Sequence, residues 1–270
     1  MVLEKGVVVV QDRRLALAFR VGALLVAAVA LGRQVGLFRG TFSPRALMFY
    51  TIQSNLLAII LFTILVVATI RGLRQGPRGE ASYLRRLTMV VTIDLLVTLV
   101  VFWGLLAPNL GLGFLLSFDN IAVHTLVPLL CLTDYIVFSK PGQLKYRDVY
   151  YACIFPLFYV LFVNIAAVAG YVYHFDDETT RFPYFFLDFD RLGLGVIAYI
   201  GAILVVFLGL AHLTYLLDRK VSLRKVSQQR GNNHGDTVLL RSTSRADGAD
   251  GLAEASAAEA VPADPVEGSL

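Results

Sequence analysis

Apolar residues fall along this chain in six long, nearly unbroken stretches: Leu15–Gly32, Ala46–Ile70, Leu87–Ala107, Ser117–Phe138, Val149–Val172 and Leu192–Leu217. Each approaches or exceeds the roughly 20 apolar residues that a helix needs to cross about 30 Å of hydrocarbon. None shows the strict alternation of a half-buried strand, so the pattern predicts six transmembrane helices. The first stretch is the shortest and carries Arg20; it lacks a small-residue cleavage site, so it reads as mature structure rather than a removable signal. Short polar loops separate the stretches. The predicted fold is all-α and polytopic: a cytoplasmic segment over residues 1–14, a six-helix domain over 15–217, and a cytoplasmic tail over 218–270.

The basic residues set a direction. With the N-terminus inside, the cytoplasmic segments as far as Arg230 hold sixteen Lys and Arg, among them Arg13, Arg71, Arg85, Lys140 and Arg219, whereas the outer loops hold five. That bias predicts both termini in the cytoplasm. Trp103 near the outer end of the third span and Tyr146, Tyr150 and Tyr151 at the inner start of the fifth fit the headgroup level, as do Tyr171 and Tyr173 at its outer end. The tail is different. From Ala246 to Leu270 it carries six acids and no base, and its lack of apolar periodicity predicts disorder.

Composition agrees: 57% of the residues are hydrophobic, 16% are charged, and the mean hydropathy is +0.67. Soluble chains run nearer 45–50% and about 25%, so most of this surface is expected to face lipid in a cell membrane. The net charge of +4 does not point to nucleic acid, because the bases lie in short loops beside apolar spans. Cys131 and Cys153 both sit in apolar stretches, as packing residues do. The sequence has no phosphate-cradling glycine loop, His-rich metal cluster, GxSxG elbow or CxxC pair, and no repeat with paired broken helices. No cofactor or metal is predicted, and a haem would want two histidines at one depth, which His124 lacks.

Candidate chemistry therefore rests on polar residues at membrane depth, where lipid offers no hydrogen-bond partner. His124 is expected roughly 10 Å below the outer end of the fourth span, with Asn120 one turn away. The second span opens with Phe49-Tyr50-Thr51-Ile52-Gln53-Ser54-Asn55, which places Thr51 roughly 8 Å deep and Asn55 one turn further in on the same face. A hydroxyl and an imidazole at matched depth on two helices make a nucleophile–base pair. A bland alternative stands beside it: a threonine bonded to its own helix and a histidine satisfied by a neighbour. Asn164 in the fifth span lies near the same level. Arg20 and Asp94 lie at similar depth near the inner side and are expected to form a structural ion pair, the alternatives being a proton-relay acid at Asp94 and an Arg20 that snorkels to the inner headgroups; Asp134 and His212 lie toward the inner face. The outer loop contains Arg181-Phe182-Pro183-Tyr184-Phe185-Phe186-Leu187-Asp188, apolar enough for an interfacial lid, and the acids Asp176, Asp177 and Glu178, whose spacing is not that of an EF-hand.

Three of these runs resemble a known family. Phe49-Tyr50-Thr51 with Asn55-Leu56, Asp119-Asn120-Ile121-Ala122-Val123-His124-Thr125 followed by Pro128 and Asp134, and Tyr184-Phe185-Phe186-Leu187-Asp188 are similar to the androgen-induced protein group and its bacterial six-span relatives. The likeness extends over Leu15 to Leu217. It implies an intramembrane threonine hydrolase, since characterised animal members cleave fatty acid esters of hydroxy fatty acids, with the nucleophile at Thr51 and its histidine partner at His124. On that reading Asn55 or Asn164 would stabilise the oxyanion and Asn120 or Asp188 would orient the imidazole. The partners would be membrane lipids and a fatty-acyl ester entering sideways from the bilayer. The competing expectation is a non-enzymatic membrane protein, such as a small transporter, sensor or partner-binding subunit, whose polar cluster is packing glue.

Overall fold

The computed structural model describes residues 10–175 and 179–220. It contains six helices long and apolar enough to cross a membrane: α1 (Arg13–Gln34), α2 (Tyr50–Leu73), α3 (Arg85–Leu106), α4 (Phe118–Phe138), α5 (Asp148–Val168) and α6 (Gly195–Lys220). The protein is an all-α, multi-pass integral membrane protein. The acidic run Asp176-Asp177-Glu178 and the tail beyond Lys220 lie outside the described residues.

Two helix ends differ from expectation for local reasons. Pro44 opens a 3₁₀ turn over Pro44–Met48 and Phe49 is extended, so α2 begins at Tyr50 rather than Ala46. At the far end of α5, Gly170 adopts φ +84°; this left-handed step, open to glycine, ends the helix at Val168 rather than Val172. Asp12 caps α1, accepting from the amides of Arg14 (2.8 Å) and Leu15 (3.2 Å).

Helices α1 to α4 share one core. Ala23, Ala27 and Ala30 of α1 meet Ala58, Phe62 and Leu65 of α2, Leu95 of α3, and Val123 and Val127 of α4; small residues along α1 let the neighbouring backbones approach closely. A second cluster seats α5 and α6 on α3, through Met89, Ile93 and Val97 against Val149, Ala152, Phe207 and Ala211. Large apolar residues such as Leu25, Ile60, Leu157 and Val205 stay exposed, the surface that a hydrocarbon solvent accepts. Cys131 and Cys153 are free and buried.

The buried charge of α1 corrects one expectation. Arg20 is fully buried and pairs with Asp134, not Asp94: its Nε donates to Asp134 Oδ1 at 2.7 Å and its Nη2 to Oδ2 at 3.3 Å. Its other donors reach the Thr69 hydroxyl (2.7 Å) and the Ala81 carbonyl (2.9 Å). The reason is adjacency. Helix α1 packs between α2 and α4, so an arginine on its buried face meets an acid of α4 before one of α3. Asp94 instead accepts from the Tyr50 hydroxyl at 3.3 Å.

At the bundle end that carries the α5–α6 connection, the strands Tyr173–His174 and Thr179–Thr180 pair antiparallel. A 3₁₀ turn (Phe185–Leu187) and a short helix (Phe189–Leu192) follow. Asp188 caps that helix, accepting from the amides of Asp190 (2.9 Å) and Arg191 (3.1 Å) and from the Thr180 hydroxyl (2.9 Å). Arg181 pairs with Asp190 and holds its exposed carboxyl below the usual range. The aromatic run between these anchors is thereby fixed over the end of the bundle.

Candidate functional site

The site begins with a proline. Pro128 has no N–H to give the His124 carbonyl, and its ring would strike that carbonyl in a regular helix. The chain responds with a π turn over Ala122–Leu126, in which the Val127 amide bonds the Ala122 carbonyl. π turns of this kind recur at functional sites. In a regular α-helix the Val127 amide would have bonded Val123; the π turn leaves the Val123 carbonyl in need of a donor inside an apolar bundle. Asn55 of α2 supplies it: its Nδ2 donates to Val123 O at 3.1 Å and to Thr51 O at 2.8 Å. One amide group thus staples α2 to α4, one turn from Thr51 and one residue from His124.

The staple fixes the pair that the sequence singled out. Thr51 Oγ1 lies 3.3 Å from His124 Nε2, slightly beyond the 2.6–3.2 Å of a working nucleophile–base contact, which tightens on ligand binding. The other ring nitrogen, Nδ1, is 3.0 Å from the Asn120 carbonyl. A carbonyl only accepts, so Nδ1 carries the proton and Nε2 presents a lone pair to the threonine O–H. The Phe102 ring stacks on the imidazole, 3.8 Å between centroids. Phe102 starts a second π turn, over Phe102–Leu106 in α3. Trp103 Nε1 donates to Thr125 Oγ1 at 2.9 Å, holding the two π turns together.

The other expected site residues divide. Asn120 orients the imidazole, but through its main-chain carbonyl; its side chain donates to Leu115 O at 3.2 Å. Asn55 is a staple, with both its amide hydrogens committed, and offers no donor to an oxyanion. Asn164 is half-buried and donates to Val160 O at 2.8 Å within its own helix, away from the pair. Asp188 caps the loop helix and does not touch His124. Because α2 starts at Tyr50 rather than Ala46, Thr51 lies in the first turn of its helix.

The first turn brings donors that sequence reasoning missed. Phe49 caps α2 without a side-chain bond, so the amides of Tyr50 and Thr51 point out of the helix end, as the first N–H groups of any helix do. The Tyr184 hydroxyl lies beside the Thr51 hydroxyl and faces those two amides, which as donors favour its charged form. Burial dominates, however, and pushes the Tyr184 phenol above its ordinary range, so the hydroxyl keeps its proton at neutral pH. Tyr184 is wedged by rings: Phe49 edge-on at 5.9 Å, Tyr159 at 6.5 Å and Phe186 stacked at 5.1 Å. The one available signal was the aromatic run itself, read as a lid. Tyr184, Phe186 and Leu187 line a cavity that has Thr51 in its wall.

That cavity, some 730 Å³ with its mouth included, lies among α2, α3, α5, α6 and the loop. Apart from Thr51, Thr98 and three tyrosines, its walls are apolar, and the Thr98 hydroxyl is already bonded to Asp94 O at 3.0 Å. Among the described residues, no cluster of His, Cys, Asp and Glu is placed to hold a metal ion.

These features define a class: a multi-pass membrane protein in which a threonine paired with a histidine lines an apolar cavity. No family model, curated protein or solved structure matches the chain.

Proposed function

We propose that this protein is an intramembrane threonine hydrolase that cleaves lipid esters, as its resemblance to the androgen-induced protein group implies. One observation carries the reading: Thr51 Oγ1 meets the unprotonated Nε2 of an imidazole whose Nδ1–H is held by a carbonyl. That is the order nucleophile, base, orienter of hydroxyl-based acyl transfer. Thr51 Oγ1 attacks the ester carbonyl carbon while its proton passes to His124 Nε2. The carbonyl π pair moves onto oxygen, and the resulting oxyanion faces the Tyr184 O–H and the amides at the start of α2, donors suited to that charge. Collapse breaks the ester C–O bond, and the leaving alkoxide takes the proton from His124. Water then attacks the acyl-threonine with His124 again as base, freeing the acid and restoring Thr51. The reading places the site in the outer leaflet of the cell membrane, with both termini inside.

The test uses detergent-solubilised protein and a fluorophosphonate probe, whose phosphorus takes the Thr51 oxygen and loses fluoride. Wild type is expected to label and to hydrolyse long-chain acyl esters. Thr51→Ala and His124→Ala, at matched membrane expression, are expected to lose both by about 10²–10⁴-fold. A wild type that neither labels nor hydrolyses any lipid ester refutes the proposal in favour of the non-enzymatic reading.

A further inference from the structure

Two connections at the bundle end that holds Thr51 and His124 present apolar side chains outward. Between α3 and α4, residues 107–118 include no charged residue, and Leu112, Phe114, Leu116 and Phe118 are 55–74% exposed. Leu115, among them, is buried with Phe102 and Ala107, and its carbonyl accepts from the Asn120 side chain at 3.2 Å. The exposed side chains thus stand on a fixed base. Between α1 and α2, the left-handed glycines Gly36 (φ +80°) and Gly40 (φ +64°) turn the chain, and Leu37, Phe38 and Phe42 are 52–65% exposed. Asp119 joins the two connections by pairing with Arg33 and Arg39, and the Arg33 guanidinium lies 5.7 Å over the Phe118 ring. The Arg39 side chain stays 70% exposed, and Arg45 of the same connection is exposed too. Arg33, Arg39 and Arg45 against Asp119 leave this rim a net charge of +2, three minus one.

We infer that this rim is a binding surface for anionic phospholipid, with the Leu112–Phe118 segment seated below the phosphates and Arg39 and Arg45 on phosphate oxygens. Position is the first argument. Both connections are short, residues 35–49 and 107–117, and partly wound into turns, so they stay close to the headgroup layer, roughly 5–8 Å deep on each face of a bilayer. At that level the upper acyl chains solvate apolar side chains, which in water would form an exposed patch of the kind that marks an interaction site. Chemistry is the second. A guanidinium fork matches phosphate oxygens, and the net positive charge selects anionic over zwitterionic headgroups. A second copy is disfavoured because a two-fold contact would set these arginines against themselves. A soluble protein would have to displace lipid that the spans already bring to this level. The inference does not depend on ester hydrolysis.

The experiment uses full-length protein in nanodiscs of phosphatidylcholine, alone or mixed with phosphatidylglycerol. Trp103 is the sole tryptophan, so Phe114→Trp in a Trp103→Phe background reports on the rim, and Leu157→Trp in the same background, on the exposed face of α5, supplies a reference within the bilayer. Phosphatidylcholine brominated near the head of its acyl chains is expected to quench the tryptophan at 114 to within about twofold of the reference, and aqueous iodide to leave it nearly unchanged, as for side chains seated at the acyl boundary. Native mass spectrometry of wild type released from the mixed discs is expected to show phosphatidylglycerol retained in preference to phosphatidylcholine. Arg39→Gln and Arg45→Gln, both at exposed sites, should each lower that preference about fivefold. Quenching at 114 by iodide and not by brominated lipid, with the reference behaving normally, overturns the proposal. So does equal retention of the two lipids, or a preference that the two glutamine variants leave unchanged. A tryptophan at 114 shielded from both quenchers in a protein that the mass spectrum shows as a dimer assigns the rim to a second copy and overturns it as well.

Discussion

Replacing Asn55 with Ala tests whether the proline of α4 is the origin of the site's geometry. The Asn55 amide makes two hydrogen bonds, but they are not equivalent. Thr51 O keeps another donor, Ser54 Oγ at 3.1 Å, so losing Asn55 there costs little. Val123 O has lost the Val127 amide to Ala122 and is bared in a core where it has no water. The hydrogen bond itself contributes about 1 kcal/mol and an orphaned buried carbonyl costs a further 1–3 kcal/mol, so Asn55→Ala should destabilise by roughly 2–4 kcal/mol. Pro128→Ala should restore a regular turn and return the Val127 amide to Val123. In that background Asn55→Ala should cost less, giving a coupling energy of about 1–2 kcal/mol, within the span seen for residues of one network. Equilibrium unfolding by sodium dodecyl sulfate in mixed micelles, on the four proteins of the cycle, measures it. Additivity within about 0.5 kcal/mol would refute the argument that the π turn, and through it the imidazole position, is what Asn55 stabilises.

Three further outcomes are expected. Asp134→Ala should destabilise by about 3–5 kcal/mol because Arg20 is left buried and uncompensated, whereas Arg20→Met with Asp134→Leu should be nearly neutral; the same unfolding assay reads both, and an equal penalty for single and double variants would count against the pairing. Tyr184→Phe should lower kcat for a long-chain ester on the order of 10²-fold with KM little changed, as loss of an oxyanion donor does; a rise in KM at constant kcat would assign Tyr184 to substrate binding instead. Asp188→Ala removes the cap of the loop helix, worth about 1 kcal/mol, and should speed amide hydrogen exchange across residues 184–192 without changing exchange in α2; unchanged exchange in the loop would show that the cap does not hold the lid.

The long apolar runs made the six helices legible, because a span in lipid must be both continuous and apolar. Lateral neighbours were not legible. Depth alone made Asp94 and Asp134 rivals for Arg20, and only the packing of α1 between α2 and α4 decides for Asp134. Thr51 and His124 were found through matched depth and through a resemblance, yet the start of α2 was misplaced: Pro44 delays it, and the hydroxyl sits in the first turn. Tyr184 escaped because a loop side chain has no periodicity to betray its direction. Asn55 was placed correctly beside the site and given the wrong task, since its role depends on a carbonyl freed by a proline four residues past His124 in another helix.

That dependence explains why the polar residues of α2 and α4 occur together. A hydroxyl in the first turn of a helix stands next to free amides, which is useful for stabilising an anion but places it at the bundle's end, where water and loop motion blur geometry. A histidine deeper in a regular helix would hold its imidazole firmly but leave no carbonyl open for a cross-helix bond. The π turn before Pro128 reconciles the two demands: it frees the Val123 carbonyl for Asn55 while the Asn120 carbonyl, one turn above His124, takes Nδ1. Phe102, on its own π turn, closes the exposed face of the ring. If packing alone had been at stake, apolar residues at positions 51, 55 and 124 with a non-proline at 128 would fill the same space and leave no buried polar group to satisfy. The cost of this polar set is intelligible when the imidazole must be held in one tautomer beside one hydroxyl.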